Sequence, residues 1–110
     1  MEGLVKGEII VIEFPYSHQK ETKRRPVLIL KVPQGEDVIV LQITSSSYEP
    51  AVEIFLKKED FKQGSLKRDS HVRIDKIASI EKSLIKYKVG RLKQDKFNEI
   101  IEKICLFMKS

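Results

Sequence analysis

Short apolar runs, not long amphipathic ones, dominate the first two thirds of the chain. Residues 8–14, EIIVIEF, are rich in β-branched side chains, too short for an independent helix and stopped by Pro15, which predicts a first strand. Residues 26–32, PVLILKV, read as a buried strand, PQGED as a turn, and residues 38–44, VIVLQIT, as the returning strand of a hairpin. After the break SSSYEP, residues 51–56, AVEIFL, alternate an outward Glu53 with apolar neighbours, the pattern of a half-buried strand. In the connection that follows, Lys58 to Phe61 suit one helical turn, while Gln63-Gly64-Ser65 and Arg68-Asp69-Ser70 carry the residues that turns prefer. Residues 71–80, HVRIDKIASI, change apolar parity between Ile74 and Ile77, which predicts a bulge or two short strands with the kink at Asp75-Lys76.

Residues 81–92 combine a short helical turn with a last edge strand. The period then lengthens: Phe97, Ile100, Ile101, Ile104 and Met108 recur at helical spacing and predict an amphipathic C-terminal helix. Its stripe needs a surface to cover, and a small, strongly bent antiparallel sheet is what the preceding elements offer. The expected fold class is therefore mainly β with α. Without repeats, low-complexity tracts or a linker, residues 1–110 read as a single domain. The single Cys105 excludes an internal disulfide, and its place in the helical pattern marks it as a buried small hydrophobe.

Charge changes the picture at one place. Between the first two strands lies PYSHQKETKRR, a long polar loop with four cationic side chains against one Glu, ending in Arg24 and Arg25 at the mouth of an aliphatic strand. A solvated loop end, with Pro26 setting the strand's entry, is the simplest account. The formal net charge of +5, from 21 Lys+Arg against 16 Asp+Glu, favours a polyanionic partner, with nucleic acid first. One Cys and two separated His form no metal-ligand cluster, and no glycine-rich phosphate cradle occurs, so neither metal nor cofactor is expected. No apolar stretch approaches the roughly 20 residues that span a bilayer, and the N-terminus lacks the pattern of a signal peptide, so a cytoplasmic location is expected.

Taken in order, GEIIVIEFPY, KRRPVLIL, VLQITSS and SHVRIDKIASIEKSLIKYKVGRLKQDKF resemble the PemK/MazF toxin family over nearly the whole chain. The resemblance implies an SH3-like small barrel of bent antiparallel strands with a C-terminal helix, a homodimer, and a metal-free endoribonuclease neutralised by a cognate antitoxin. The family's catalytic arginine, directly before the proline, falls on Arg25, and its threonine after the next strand falls on Thr44. His18 in the loop and the RID of Arg73 to Asp75 match further positions used by some members. The loop SHQKETKRR departs from many relatives in length and in lacking a glycine near the arginine.

The chemistry these residue types support is coherent. RNA is cut when its 2′-hydroxyl attacks the adjacent phosphorus, so a protein need only orient that attack, stabilise the crowded oxygens and move two protons. Arg25 brings a permanent planar fork of donors to phosphate, and Thr44 a hydroxyl on a rigid strand end, unless it only caps a turn. Ser45 and Ser46 extend that donor set, while Lys20, Lys23 and Arg24 supply charge for the RNA backbone. Tyr16, with Phe14 and Tyr48, suits stacking on unpaired bases, and Phe14 suits a core or interface position equally well. An unperturbed imidazole changes charge near neutrality, so His18 fits a general acid or base, or is a solvated bystander. Arg73 and Asp75 share a strand face, which serves a structural ion pair as well as an RNA contact; His71 reads as structural. A gyrase-binding toxin of the same fold, or a non-catalytic nucleic-acid adaptor, is the alternative; chelator-resistant cutting of RNA would separate them.

Overall fold

The computed structural model describes residues 3–14 and 23–110, with the backbone but not the side chain of Phe14. His18, Tyr16 and Lys20 lie outside the described residues. The elements are strands β1 (Glu8–Phe14), β2 (Lys23–Lys31), β3 (Asp37–Thr44), β4 (Glu53–Leu56), β5 (Phe61–Gly64), β6 (Ser70–Glu81) and β7 (Ile85–Leu92), then helix α1 (Gln94–Lys109). Single 3-10 turns at Pro50–Val52, Lys58–Asp60 and Lys82–Leu84 punctuate them. All described strands join one antiparallel sheet in the order β4-β6-β3-β2-β1-β7-β5, which curls into a half-barrel.

The curl explains the unbroken apolar runs. A strand covered on both faces needs no polar alternation. Ile9, Leu28, Leu41, Ile43, Val72 and Ile100 of α1 fill one core, while Ile10, Ile12, Val27, Val38, Val40 and Ile80 fill a second on the other face of β1 to β3. The parity change in residues 71–80 is a bulge: Val72 opposes Ile43 but Ile77 opposes Leu41, so the residues between them, Asp75-Lys76 included, face the single step at Gln42. One continuous strand results.

Four expectations change. Gln63-Gly64 belongs to a short strand, β5, whose pairing with β7 makes β7 internal to the sheet, not its edge. The close approach depends on glycine: Gly64 has φ +68, a Cβ there would collide with the Val89 carbonyl, and one on the paired Gly90 with the Gln63 carbonyl. Glu53 is not outward but 6% exposed, because the loop before it turns backbone N–H groups inward that need an acceptor. Cys105 is exposed, since only the N-terminal part of α1 presses on the sheet: Phe97 and Ile100 are buried, Ile104 is partly buried, and Leu106 and Met108 stand in solvent. Among the described residues no helix is long and apolar enough to cross a membrane.

Candidate active site

Pro26 lies inside β2, a position where a missing N–H would normally cost a ladder bond. The pairing with β3 ends at Val27↔Gln42, so Lys23 to Pro26 are paired with β1 alone. Arg25 and Thr44 each lie two residues beyond that last pair and therefore share the face of Val27 and Gln42. They meet at the rim of a cleft of about 910 Å³.

The cleft gathers three stretches far apart in sequence. Lys23, Arg24, Arg25 and Pro26 come from β2, Thr44, Ser45, Ser46 and Tyr48 from the end of β3 and its loop, and Ser65 to Arg68 from the loop between β5 and β6. Val11, Pro26 and Tyr87 occupy one row across β2, β1 and β7. Among the described residues the lining has five cationic side chains, Lys23, Arg24, Arg25, Lys67 and Arg68, and no carboxylate. Arg24 touches an acid only loosely, with its Nε 3.9 Å from Glu13 Oε1.

Thr44 does cap a turn, but in a way that leaves chemistry available. Its Oγ1 accepts the Ser46 N–H at 3.2 Å, which occupies a lone pair and leaves the hydroxyl proton free to donate into the cleft. Ser47 is spent elsewhere, its hydroxyl donating to Glu53 Oε1 at 2.7 Å. Tyr48 and Glu49 donate their N–H groups to Glu53 Oε2 at 2.8 and 3.0 Å. These bonds, the Glu49 and Tyr48 amides before the Ser47 hydroxyl and nearby His71, outweigh the opposing effect of burial and hold the Glu53 carboxyl down to about 2. The same carboxylate thereby fixes the loop that presents the 70% exposed Tyr48 to the cleft.

Arg73 and Asp75 are not brought to this cleft. Arg73 donates Nε and Nη2 to the two oxygens of Asp75 at 2.9 and 2.8 Å, with Nη1 3.9 Å from Glu53. The paired hydrogen bonds raise the Arg73 pKa and lower that of Asp75. His71 completes the cluster, its Nδ1 3.9 Å from Glu53 and its ring 5.2 Å from that of Phe55. Reading by sequence missed Glu53, Lys67, Arg68 and Tyr87. Only the adjacent cations at 67–68 carried a signal, and nothing in sequence tied them to Arg25. Among the described residues no group of three or more His, Cys, Asp or Glu could hold a metal ion.

Comparison with solved structures gives the same architecture at low identity. The Mycobacterium tuberculosis toxin MazF-mt6 superposes with a TM-score of 0.72 at 24% identity, covering 93% of this chain and 96% of that one. A MazE-MazF structure from Deinococcus radiodurans gives 0.74 at 18%, covering 94% of each. An endoribonuclease in complex with its cognate antitoxin from a mycobacterial species gives 0.76 at 14%, covering 97% and 96%. A comparison with curated protein sequences finds no match. The sequence profile of the PemK-like, MazF-like toxin of type II toxin-antitoxin systems matches residues 5–108, and the chain belongs to that family.

Proposed function

We propose that this protein is a toxin endoribonuclease that cuts single-stranded RNA without a metal ion, in the cytoplasm, and is held in check by a cognate antitoxin. The observation that carries the reading is the cleft that brings Arg25 and Thr44 together among cations and no described carboxylate. A polyanion is attracted there, and its scissile phosphate meets a guanidinium and a hydroxyl donor on strand ends.

The chemistry follows from those groups. The ribose 2′-hydroxyl attacks the neighbouring phosphorus, the bond to O5′ breaks, and charge builds on the non-bridging oxygens. Arg25 donates to those oxygens in its planar fork, and the Thr44 hydroxyl, oriented by the Ser46 amide, donates beside it. A base takes the 2′-hydroxyl proton and an acid protonates O5′; His18 is the residue we assign to one of these transfers. Lys20, Lys23 and Arg24 hold flanking phosphates, Ser45 and Ser46 add donors, and Tyr16 and Tyr48 stack on bases. Arg73 and Asp75 brace the Glu53 cluster behind the loop. A homodimer completes the particle, and an acidic antitoxin segment would occupy the same basic cleft; a partner is in keeping with the relatives solved as MazE-MazF and as an endoribonuclease with its cognate antitoxin.

Incubation of purified protein with a long transcript in excess chelator should give products with a 2′,3′-cyclic phosphate and a free 5′-hydroxyl. A substrate carrying 2′-deoxyribose at the scissile position should resist. Inhibition of DNA supercoiling without RNA cleavage would instead identify the gyrase-binding alternative.

A further inference from the structure

The wall of the cleft opposite Arg25 has no role in that mechanism. Leu66 packs partly into the core, the Ser70 hydroxyl donates to the Arg68 carbonyl at 2.9 Å, and the Gly64–Gly90 crossing fixes where the loop leaves the sheet. Lys67 and Arg68 project from this anchored loop, exposed, and neither has an ion-pair partner among the described residues. The contrast with neighbouring cations is informative: Lys86 and Lys88 on β7 are tied to Glu13 at 3.1 Å and Glu8 at 3.0 Å. The row Pro26, Val11, Tyr87 also lines the cleft, and Tyr87 keeps 48% of its surface open.

Lys67 and Arg68 line the cleft from the loop that runs from β5 to β6, a segment separate from the β2 and β3 ends that bring Arg25 and Thr44. The 910 Å³ of the cleft is at the upper end of what encloses one drug-sized ligand, room for more than one nucleotide.

We infer that Lys67, Arg68 and Tyr87 form a second grip for single-stranded RNA, in which the two cations hold phosphates other than the scissile one and Tyr87 stacks on a base between them. The inference rests on the ribonuclease reading and extends it: the grip tightens binding only of substrates longer than the dinucleotide that is cut. Charge selects the class of ligand, and an exposed aromatic in the same cleft as these cations favours nucleic acid over an acidic peptide.

The test uses the full chain and an RNA cut site first mapped in a long transcript. Cleavage is measured on a ten-nucleotide RNA and on the dinucleotide spanning that site, and binding on the ten-nucleotide RNA with 2′-deoxyribose at the scissile position. For Lys67→Ser/Arg68→Ser, KM on the long substrate should rise about tenfold with kcat kept, and the dependence of log affinity on log salt should flatten by about 1.4, the value for two single-strand phosphates. Tyr87→Ala should weaken long-substrate binding about tenfold with the salt slope unchanged. Both variants should match wild type on the dinucleotide. Equal behaviour of variant and wild type on the long RNA overturns the grip, as does an equal loss on both lengths, or a double variant that loses only antitoxin binding. If wild type leaves the long transcript uncut the catalytic reading fails, while binding of an unmodified ten-nucleotide RNA by wild type and variants still reads the grip separately.

Discussion

Arg25 and Arg73 are two arginines on neighbouring parts of one sheet, and their surroundings are opposite. Arg73 is sealed by a two-pronged bond to Asp75, with Glu53 3.9 Å behind it and only 12% of its side chain exposed. Arg25 is half-buried at a cleft whose described lining contains no carboxylate at all. A guanidinium whose donors are taken up by fixed carboxylates holds structure, whereas one whose donors face an open cleft waits for an anion. Charge count alone does not distinguish them; the partner does.

The largest effect should come from exchanging their roles by truncation. Arg25→Ala removes a donor aimed at developing charge, a loss that typically slows such reactions about 10²- to 10³-fold, with RNA binding largely intact and thermal stability close to wild type. Thr44→Ala should fall in the same range and Thr44→Ser should recover most of it, because serine keeps the hydroxyl. Arg73→Ala should do the reverse, lowering Tm by stripping Asp75 and Glu53 of their counter-charge while leaving kcat of the folded fraction unchanged. Single-turnover cleavage and thermal melts on the same samples check the comparison, and an Arg73 variant that melts normally but does not cut would break it.

Next in size is the backbone device that sets the cleft's far wall. Gly64→Ala forces a Cβ into a left-handed conformation, a strain of roughly 1–3 kcal/mol before the collision with the Val89 carbonyl is counted. Its urea midpoint should drop accordingly, whereas Gly35→Ala, which meets no neighbour within 4 Å but also has a positive φ of +112, should pay the strain without the collision.

The same contrasts explain which features were legible from sequence. Strands β1, β2 and β3 announced themselves because burial on both faces writes an unbroken apolar run, and α1 because its stripe has a helical period. β5 did not, since FKQG has one large hydrophobe and becomes a strand only by pairing with β7. Alternation also misled at Glu53: it located a polar position correctly but could not say that amides from residues 48 and 49 would draw the carboxylate inward. Cys105 shared the helical pattern of Ile104, yet the sheet ends before the helix does. Arg25 and Thr44 were reached through family resemblance, whereas Lys67, Arg68 and Tyr87 join the cleft only once three distant segments meet.

A smaller effect, with a definite sign, belongs to Glu53. Its folded-state pKa, about 2, lies below its ordinary value of 4.5, so the unfolded chain takes up a proton first as pH falls. The carboxylate's contribution to stability is therefore complete above pH 4.5 and is lost as pH drops toward 2. Wild type should exceed Glu53→Gln in Tm by a constant margin from pH 7 to about 5, and the margin should shrink steadily below that. A margin that stayed constant into strong acid would mean that shape, not charge, holds the 47–49 loop.

The smallest effect sharpens the comparison most, because Arg24 stands between the two cases. It faces the cleft, yet its Nε lies 3.9 Å from Glu13, a carboxylate already engaged by Lys86 at 3.1 Å. At that distance, with 58% of its side chain exposed, the pair to Glu13 is a weak surface contact that phosphate can displace. Arg24 should therefore behave as a backbone clamp and not as a transition-state donor. Arg24→Ala should leave kcat within about twofold of wild type and flatten the salt dependence of single-strand binding by about 0.7, the contribution of one phosphate. The Glu13 side chain supplies the control: Glu13→Gln should strengthen RNA binding slightly in wild type and do nothing when Arg24 is already alanine. Should Arg24→Ala instead reduce kcat as deeply as Arg25→Ala, the two adjacent arginines would act as one catalytic fork, and the division between clamp and donor drawn from their surroundings would be wrong.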